Sequence, residues 1–184
     1  MSMNIASKRL AKELAKLHQG LPPGIDLVSA EDFAEWLLDI RVLDHNPLYK
    51  DQTYRLKFKF PPGYPIEPPE VTFLHLTPKS SSTSTPTPST STSTSTSTSS
   101  TTPPAVSRPI PIHPHIYSNG IICLDLLGRQ GWSPVQNVES ICMSIQSMLT
   151  GNTRDERPEG DREFVLHNKK RPRDIEFYYH DDGV

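Results

Sequence analysis

The chain has 184 residues and a formal net charge of -2 at pH 7, enough length for one domain with a buried core and no basic excess of the kind that draws a protein to phosphate backbones. Its two cysteines, Cys123 and Cys142, are too few for a disulfide framework and lack the paired spacing of a zinc site, so a reducing cytoplasmic or nuclear compartment and no metal are expected. Charges interrupt the stretch as far as Leu17 and nowhere do about eighteen apolar residues run together, so neither a signal peptide nor a membrane span is expected, and nucleic acid and membranes are not expected partners.

Ile5, Leu10, Leu14 and Leu17 fall on one helical face, with Lys8, Arg9, Lys12, Glu13 and Lys16 between them, and this helix should stop at Gly20, ahead of Pro22 and Pro23. Trp36, Leu38, Ile40 and Val42, and then Tyr54, Leu56, Phe58 and Phe60, recur with period two and predict half-buried antiparallel strands. Weaker strands are expected at 24–28 and 70–76, the second after a proline-rich stretch that cannot be a central strand, giving a four-strand meander. Residues 80–102 are serine or threonine apart from Pro86 and Pro88, with no apolar surface to offset the entropy of ordering. The reading is a disordered insert at about 79–105 within a single domain spanning 1–184. Residues 108–132 lack periodicity and carry Pro109, Pro111, Pro114, Gly120, Gly128 and Gly131, so they predict structured loop. A second helix should be capped by Asn137, run to about Leu149 and stop at Gly151, with Val138, Ile141, Cys142, Ile145, Met148 and Leu149 inward. In the polar tail from Arg154, the residues Phe164, Val165, Ile175, Phe177, Tyr178 and Tyr179 imply at least one packed segment.

The loop reads His113-Pro114-His115-Ile116-Tyr117-Ser118-Asn119-Gly120-Ile121-Ile122-Cys123-Leu124-Asp125, with Trp132-Ser133-Pro134 following. A thiolate attacks an activated acyl group readily and is readily displaced, so one cysteine can carry an acyl chain as a thioester without a triad. Cys123, in a loop rich in proline and glycine, is the candidate, whereas Cys142 sits in an apolar helical stripe and reads as core. Asn119 and Gly120 read as a turn, the glycine supplying a positive φ beside the cysteine. Asp125 either orients an incoming amine and favours its neutral form or is a solvated carboxylate. His113 is in principle a base for Cys123.

This order and spacing resembles the active-site segment of ubiquitin-conjugating enzymes: His-Pro, then Asn-Gly-x-Ile-Cys, then Trp-Ser-Pro before a helix. The likeness extends over the first helix, the meander, Tyr64-Pro65-Ile66 and Pro68-Pro69. Within the family it is to the W-type members, which share His-Pro-His and a Tyr-His-Asp-Asp run, here at 179–182. The resemblance implies an α/β (α+β) fold with an N-terminal helix, a four-strand antiparallel meander, an active-site loop, a central helix and a variable C-terminal segment. It implies ubiquitin received from the activating enzyme as a thioester on Cys123, with ATP used by that enzyme and no cofactor bound here. His113 and Pro114 would then shape the loop. His115 replaces the asparagine credited in most members with stabilising the oxyanion or holding the loop, and it either keeps that role through an imidazole N–H or is only a spacer. The acidic pair that many members carry after the second helix is here Arg154-Asp155-Glu156-Arg157, where the arginines could neutralise it, and no role is carried over.

The partners implied are ubiquitin, the ubiquitin-activating enzyme, RING-type or U-box ligases, and substrates with flexible N-termini. Lys8, Arg9 and Lys12 on the first helix, Tyr64, Pro65 and Ile66, and Ser133, Pro134 and Val135 are the expected ligase and activating-enzyme contacts, with Ile66 as anchor. An α-amino group has a reference pKa of about 7.7 to 8.0 against about 10.4 for lysine, so near pH 7.4 roughly a quarter of α-amines are neutral and only about a thousandth of lysines. That advantage, together with the W-type likeness, points to the protein N-terminus as acceptor. The competing readings are a non-catalytic variant that binds ubiquitin or ligases, a cysteine hydrolase using Cys123 and His113, for which no third triad member is offered, and a conjugating enzyme for another ubiquitin-like modifier. The insert, lying between Leu76 and His113, should emerge near the active-site side.

Overall fold

The computed structural model describes residues 4–77 and 107–177; the insert expected at about 79–105, Tyr178 and the run at 179–182 lie outside the described residues. Helix α1 (Ile5–Gln19) opens at Asn4, whose side chain accepts the Ser7 N–H at 2.8 Å and so satisfies a first-turn amide. Its buried stripe is Ala6, Leu10, Glu13 and Leu17. The face is therefore rotated from the one expected: Ile5 is 75% exposed and Glu13 lies inside. Glu13 is tolerated there because its carboxylate is satisfied, Oε1 accepting the Tyr64 hydroxyl at 2.6 Å and Oε2 the Val138 N–H at 2.9 Å.

Strands β1 (Ile25–Ser29), β2 (Glu35–Ile40), β3 (Tyr54–Lys59) and β4 (Glu70–Leu74) form the expected meander, antiparallel in the order β1-β2-β3-β4. Period-two alternation sends Trp36, Leu38, Ile40, Leu56, Phe58, Val71 and Phe73 into one core with Leu10 and Leu17 of α1 and Ile141, Ile145 and Leu149 of α2 (Val138–Thr150). Helix α2 begins with a reciprocal cap between Asn137 and Ser140, and Cys142 is fully buried on its inward stripe. Beyond it lies α3 (Asp161–His167), and short 3-10 turns occupy Asp125–Leu127 and Pro172–Asp174. The packed segment expected in the tail is aromatic: Phe164 stacks on Tyr117 at 3.9 Å between ring centroids, with Phe177 at 6.1 Å from the same ring. No helix among the described residues is long and apolar enough to cross a membrane.

Past β4, Leu76 and Arg108 exchange backbone hydrogen bonds of 2.8 and 2.9 Å. The Arg108 guanidinium then reaches Asp39 of β2 at 2.9 Å, beside Arg55. Burial raises the Asp39 carboxyl, but the two arginines outweigh it and hold the group below the usual carboxylate range. Residues 77 and 107 thus leave the domain together at the Leu74 end of β4. The loop bearing Cys123 pairs Ile121 with Thr72 and runs antiparallel to β4 from there, so the roots of the insert lie four residues, or roughly 13 Å, along the strand from that pairing.

Candidate active site

Between Arg108 and Cys123 the chain is folded by its own backbone and by groups sent from elsewhere. Ile116 N–H donates to the His113 carbonyl at 3.0 Å, and the His115 N–H donates to His113 Nδ1 at 2.9 Å, making a tight hairpin. A second turn follows, in which Gly120 N–H donates to Tyr117 O and Tyr117 N–H to Ile121 O, both at 2.9 Å. The Asn119 side chain accepts the Ile121 N–H at 3.2 Å, the local bond that makes asparagine a turn residue. Gly120 has φ +88°, and a Cβ there would meet the Phe73 carbonyl oxygen at 2.1 Å. Only glycine fits, because β4 lies directly against the turn, with Phe73 N–H donating to Gly120 O at 2.9 Å.

Cys123 emerges half-buried from this turn, its N–H donating to the His115 carbonyl at 2.7 Å. His115 therefore touches the cysteine through its backbone, while its side chain is exposed and lies 5.5 Å, centroid to centroid, from the His113 ring. His113 is 4% exposed, and both ring nitrogens are engaged, Nδ1 with His115 and Nε2–H with the Met148 carbonyl at 3.3 Å. Burial, with a smaller contribution from His115, lowers its pKa to about 4. It is neutral at neutral pH with neither nitrogen placed to take a proton, which fits a loop-shaping role and not a base. Asp125 is exposed at the start of the Asp125–Leu127 turn. A groove borders Leu124 and Asp125, with Ile175 and Phe177 on its other wall. The second thiol contrasts: complete burial pushes Cys142 far up, so it stays protonated and inert.

Several supports were not visible in the sequence. The Tyr49 hydroxyl donates to the Ile112 carbonyl at 2.7 Å and accepts from Asn152 Nδ2 at 2.5 Å. Arg157 donates to the carbonyls of Ile110, Pro111 and Ile116, so the segment read as a neutralised acidic pair holds the loop. Asp161 accepts the Ser118 N–H at 2.7 Å. Burial, then Cys123 and Asp161, raise the Tyr117 phenol. These residues are far from Cys123 in sequence, and no local pattern marks them. Among the described residues, no group of three or more His, Cys, Asp or Glu is placed to hold a metal.

The expected docking residues divide. Ile66 is 73% exposed and Val135 79%, and Ile5, absent from the expected set, joins them. Lys8, Lys12 and Pro134 are exposed and Ser133 half-buried. Tyr64 and Pro65 are corrected: both are buried, Tyr64 tied to Glu13 and the Pro65 carbonyl accepting Trp132 Nε1–H at 2.8 Å. They hold Ile66 outward and offer little surface themselves. Arg9 is also spent internally, on Glu13 and on the carbonyls of Pro134 and Gln136 at 3.0 and 2.7 Å, so it shapes the loop ending at Val135.

The pattern of the family described as ubiquitin-conjugating enzyme matches residues 9–174. The chain is 35% identical over 179 residues to a probable ubiquitin-conjugating enzyme E2 W of Dictyostelium discoideum, covering 97% of each chain. It is 34% identical over 182 residues to a probable ubiquitin-conjugating enzyme E2 16 of Arabidopsis thaliana, covering 98% of this chain and 91% of that one. Among solved structures it is similar to the ubiquitin conjugating enzyme E2 UbcA1 of Agrocybe aegerita, with a TM-score of 0.72 and 34% identity over 93% of this chain and all of that one.

Proposed function

The chain belongs to the ubiquitin-conjugating enzyme family, and from that premise we propose that Cys123 is the thiol that carries ubiquitin and that a protein α-amino group is its preferred acceptor. Enzymes of the family form a thioester intermediate. On this reading the Cys123 thiolate attacks the thioester carbonyl held by the activating enzyme, whose own cysteine leaves as thiolate. A neutral amine then attacks the Cys123 thioester carbonyl; the tetrahedral intermediate expels the Cys123 thiolate, and the amine's surplus proton passes to solvent.

Cys123 is the accessible thiol of the two, on a turn whose backbone is pinned to β4, and Cys142 is sealed in the core. The acceptor preference is carried by one observation: His113 is neutral, with both ring nitrogens already bonded. An amine arriving still protonated finds no base in it, so amines already neutral at pH 7.4 are favoured. His115 is exposed, and its backbone carbonyl receives the Cys123 N–H; on this reading its imidazole N–H is the donor to the oxyanion. Asp125, two residues after Cys123 and exposed on the groove that Asp174 and Glu176 also line, is on this reading the acid that orients the incoming amine. RING-type or U-box ligases would dock on Ile5, Ile66 and Val135.

The test is single-turnover discharge at pH 7.4 of the Cys123–ubiquitin adduct onto two peptides: one lysine-free with a free N-terminus, one N-acetylated with a single lysine. The free N-terminus should react at least about tenfold faster, given the difference in neutral fraction. Equal rates would refute the acceptor preference and leave the thioester standing. An adduct with another ubiquitin-like modifier but none with ubiquitin would replace the substrate in this reading.

A further inference from the structure

The residues 110–116 double back at His113, and the two legs of the hairpin are joined from outside by one side chain. Arg157 Nη1 donates to the Pro111 carbonyl at 2.6 Å and to the Ile116 carbonyl at 3.0 Å, and Nη2 donates to the Ile110 carbonyl at 3.1 Å. Between those legs sits His115, whose carbonyl receives the Cys123 N–H at 2.7 Å. The residue is half-buried, and burial lowers the guanidinium's pKa while Asp161, four residues on, opposes that shift in part and holds the Ser118 amide on the next turn. We propose that Arg157 is a positioning residue for conjugation, fixing the hairpin that sets where the Cys123 sulfur and its acyl group lie.

The chemistry asks for arginine. Three carbonyls converge on one planar cation, and a charged donor makes bonds roughly twice as strong as a neutral one. A lysine ammonium is a point charge that cannot reproduce the fork. When the fork is lost the two legs part, the His115 carbonyl moves, and the thioester carbonyl moves with the Cys123 backbone. A displacement of about 1 Å at a reacting centre costs up to about a hundredfold in rate. The effect reaches the chemical step through the loop, so it should appear in the maximal rate and leave acceptor binding unchanged.

The inference rests on Cys123 carrying the thioester. The experiment takes the full chain as wild type, Arg157→Ala, Arg157→Lys and Arg154→Ala, the last an exposed neighbour whose guanidinium meets Glu156 at 3.3 Å. Discharge of purified adduct is followed against concentration of a free-N-terminus peptide, with hydrogen exchange of the amides in parallel. For Arg157→Ala the rate at saturating peptide should fall about ten- to a hundredfold with the half-saturating concentration unchanged. The Ile116 and Cys123 amides should exchange faster while those of α2 stay protected, and methylguanidinium should restore part of the rate. Arg157→Lys should remain impaired, and Arg154→Ala should match wild type. A saturating rate within twofold of wild type in a folded Arg157→Ala overturns the proposal, as does a loss that tracks only the folded fraction. Failure of wild type to form the adduct sinks the functional reading and this proposal with it, whereas normal wild-type discharge with an unaffected variant sinks this proposal alone.

Discussion

Two surfaces of this domain are built by opposite rules. In the loop that presents Cys123, carbonyl after carbonyl is given a donor: Ile110, Pro111 and Ile116 by Arg157, Ile112 by Tyr49, His115 by Cys123 itself. At the other surface Ile5, Ile66 and Val135 are left 75, 73 and 79% exposed, while everything beneath them is tied down through Glu13, Tyr64, Arg9 and Trp132. A reacting sulfur must be held in place, and hydrogen bonds supply direction. A docking face must retain something to bury, and exposed apolar side chains supply that. The contrast predicts that damage at the first surface removes chemistry whatever partner is present, and that damage at the second removes only what a partner adds.

The largest expected effect is at Cys123. Cys123→Ala should abolish the thiol-sensitive ubiquitin adduct on a non-reducing gel, and Cys142→Ala should retain it; an adduct surviving the first change would move the site. Gly120→Ala comes next, since a methyl at φ +88° would be driven into the Phe73 carbonyl, which as backbone of a paired strand cannot yield. Strain and overpacking together should cost about 3 kcal/mol in chemical denaturation, with discharge falling at temperatures where the chain remains folded. A variant as stable and active as wild type would show that the turn is less constrained than its contacts with β4 imply.

How much of this was legible in the sequence follows the range of the interactions. The meander was readable because alternation is local, and each of Trp36, Leu38, Ile40, Leu56 and Phe58 faces the core as the period requires. The motif made the turn at Asn119 and Gly120 readable, and the hydrogen-bonded place of His113 in the loop, while Cys123 as the reacting thiol is a proposal that the motif supports. Glu13 was misread because a charged residue on a helix is ordinarily solvated, and its partners Tyr64 and Val138 lie 51 and 125 residues away. Arg157 was set aside for the same reason, 41 to 47 residues from the carbonyls it serves. Tyr64 and Pro65 were expected on the surface because they flank Ile66, yet neighbours in a turn point in different directions.

A smaller effect should sharpen the claim that His113 belongs to the scaffold. Its folded pKa of about 4 lies below the unfolded value of about 6.5. Its contribution to stability is therefore complete above about pH 6.5 and is lost as pH falls from there toward about 4, because only the unfolded chain takes up the proton in that window. At pH 5 the loss should be about 2 kcal/mol relative to pH 7. Measured against His113→Gln, which cannot titrate, the stability advantage of wild type should shrink by that amount between pH 7 and pH 5. A constant difference would mean that the imidazole is freely protonated in the folded protein and available as a base after all.

The smallest expected effect tests the second surface. Ile66→Ala removes most of an exposed apolar side chain that makes little contact within the domain, so stability and discharge without a ligase should be unchanged. Burying such a side chain in a partner is worth about 1.5–3 kcal/mol, and truncation to alanine forfeits a large part of it. Ligase-stimulated discharge at subsaturating ligase should thus fall about tenfold, close to 1.4 kcal/mol, and Val135→Ala should do the same to a lesser degree if the two share one footprint. Raising the ligase concentration should restore the rate, because what was lost is affinity and not the placement of the thioester. A variant impaired without ligase would place Ile66 with the supports of Cys123, and the division between a surface built of satisfied carbonyls and one built of exposed isoleucine and valine would fail at the residue that defines it.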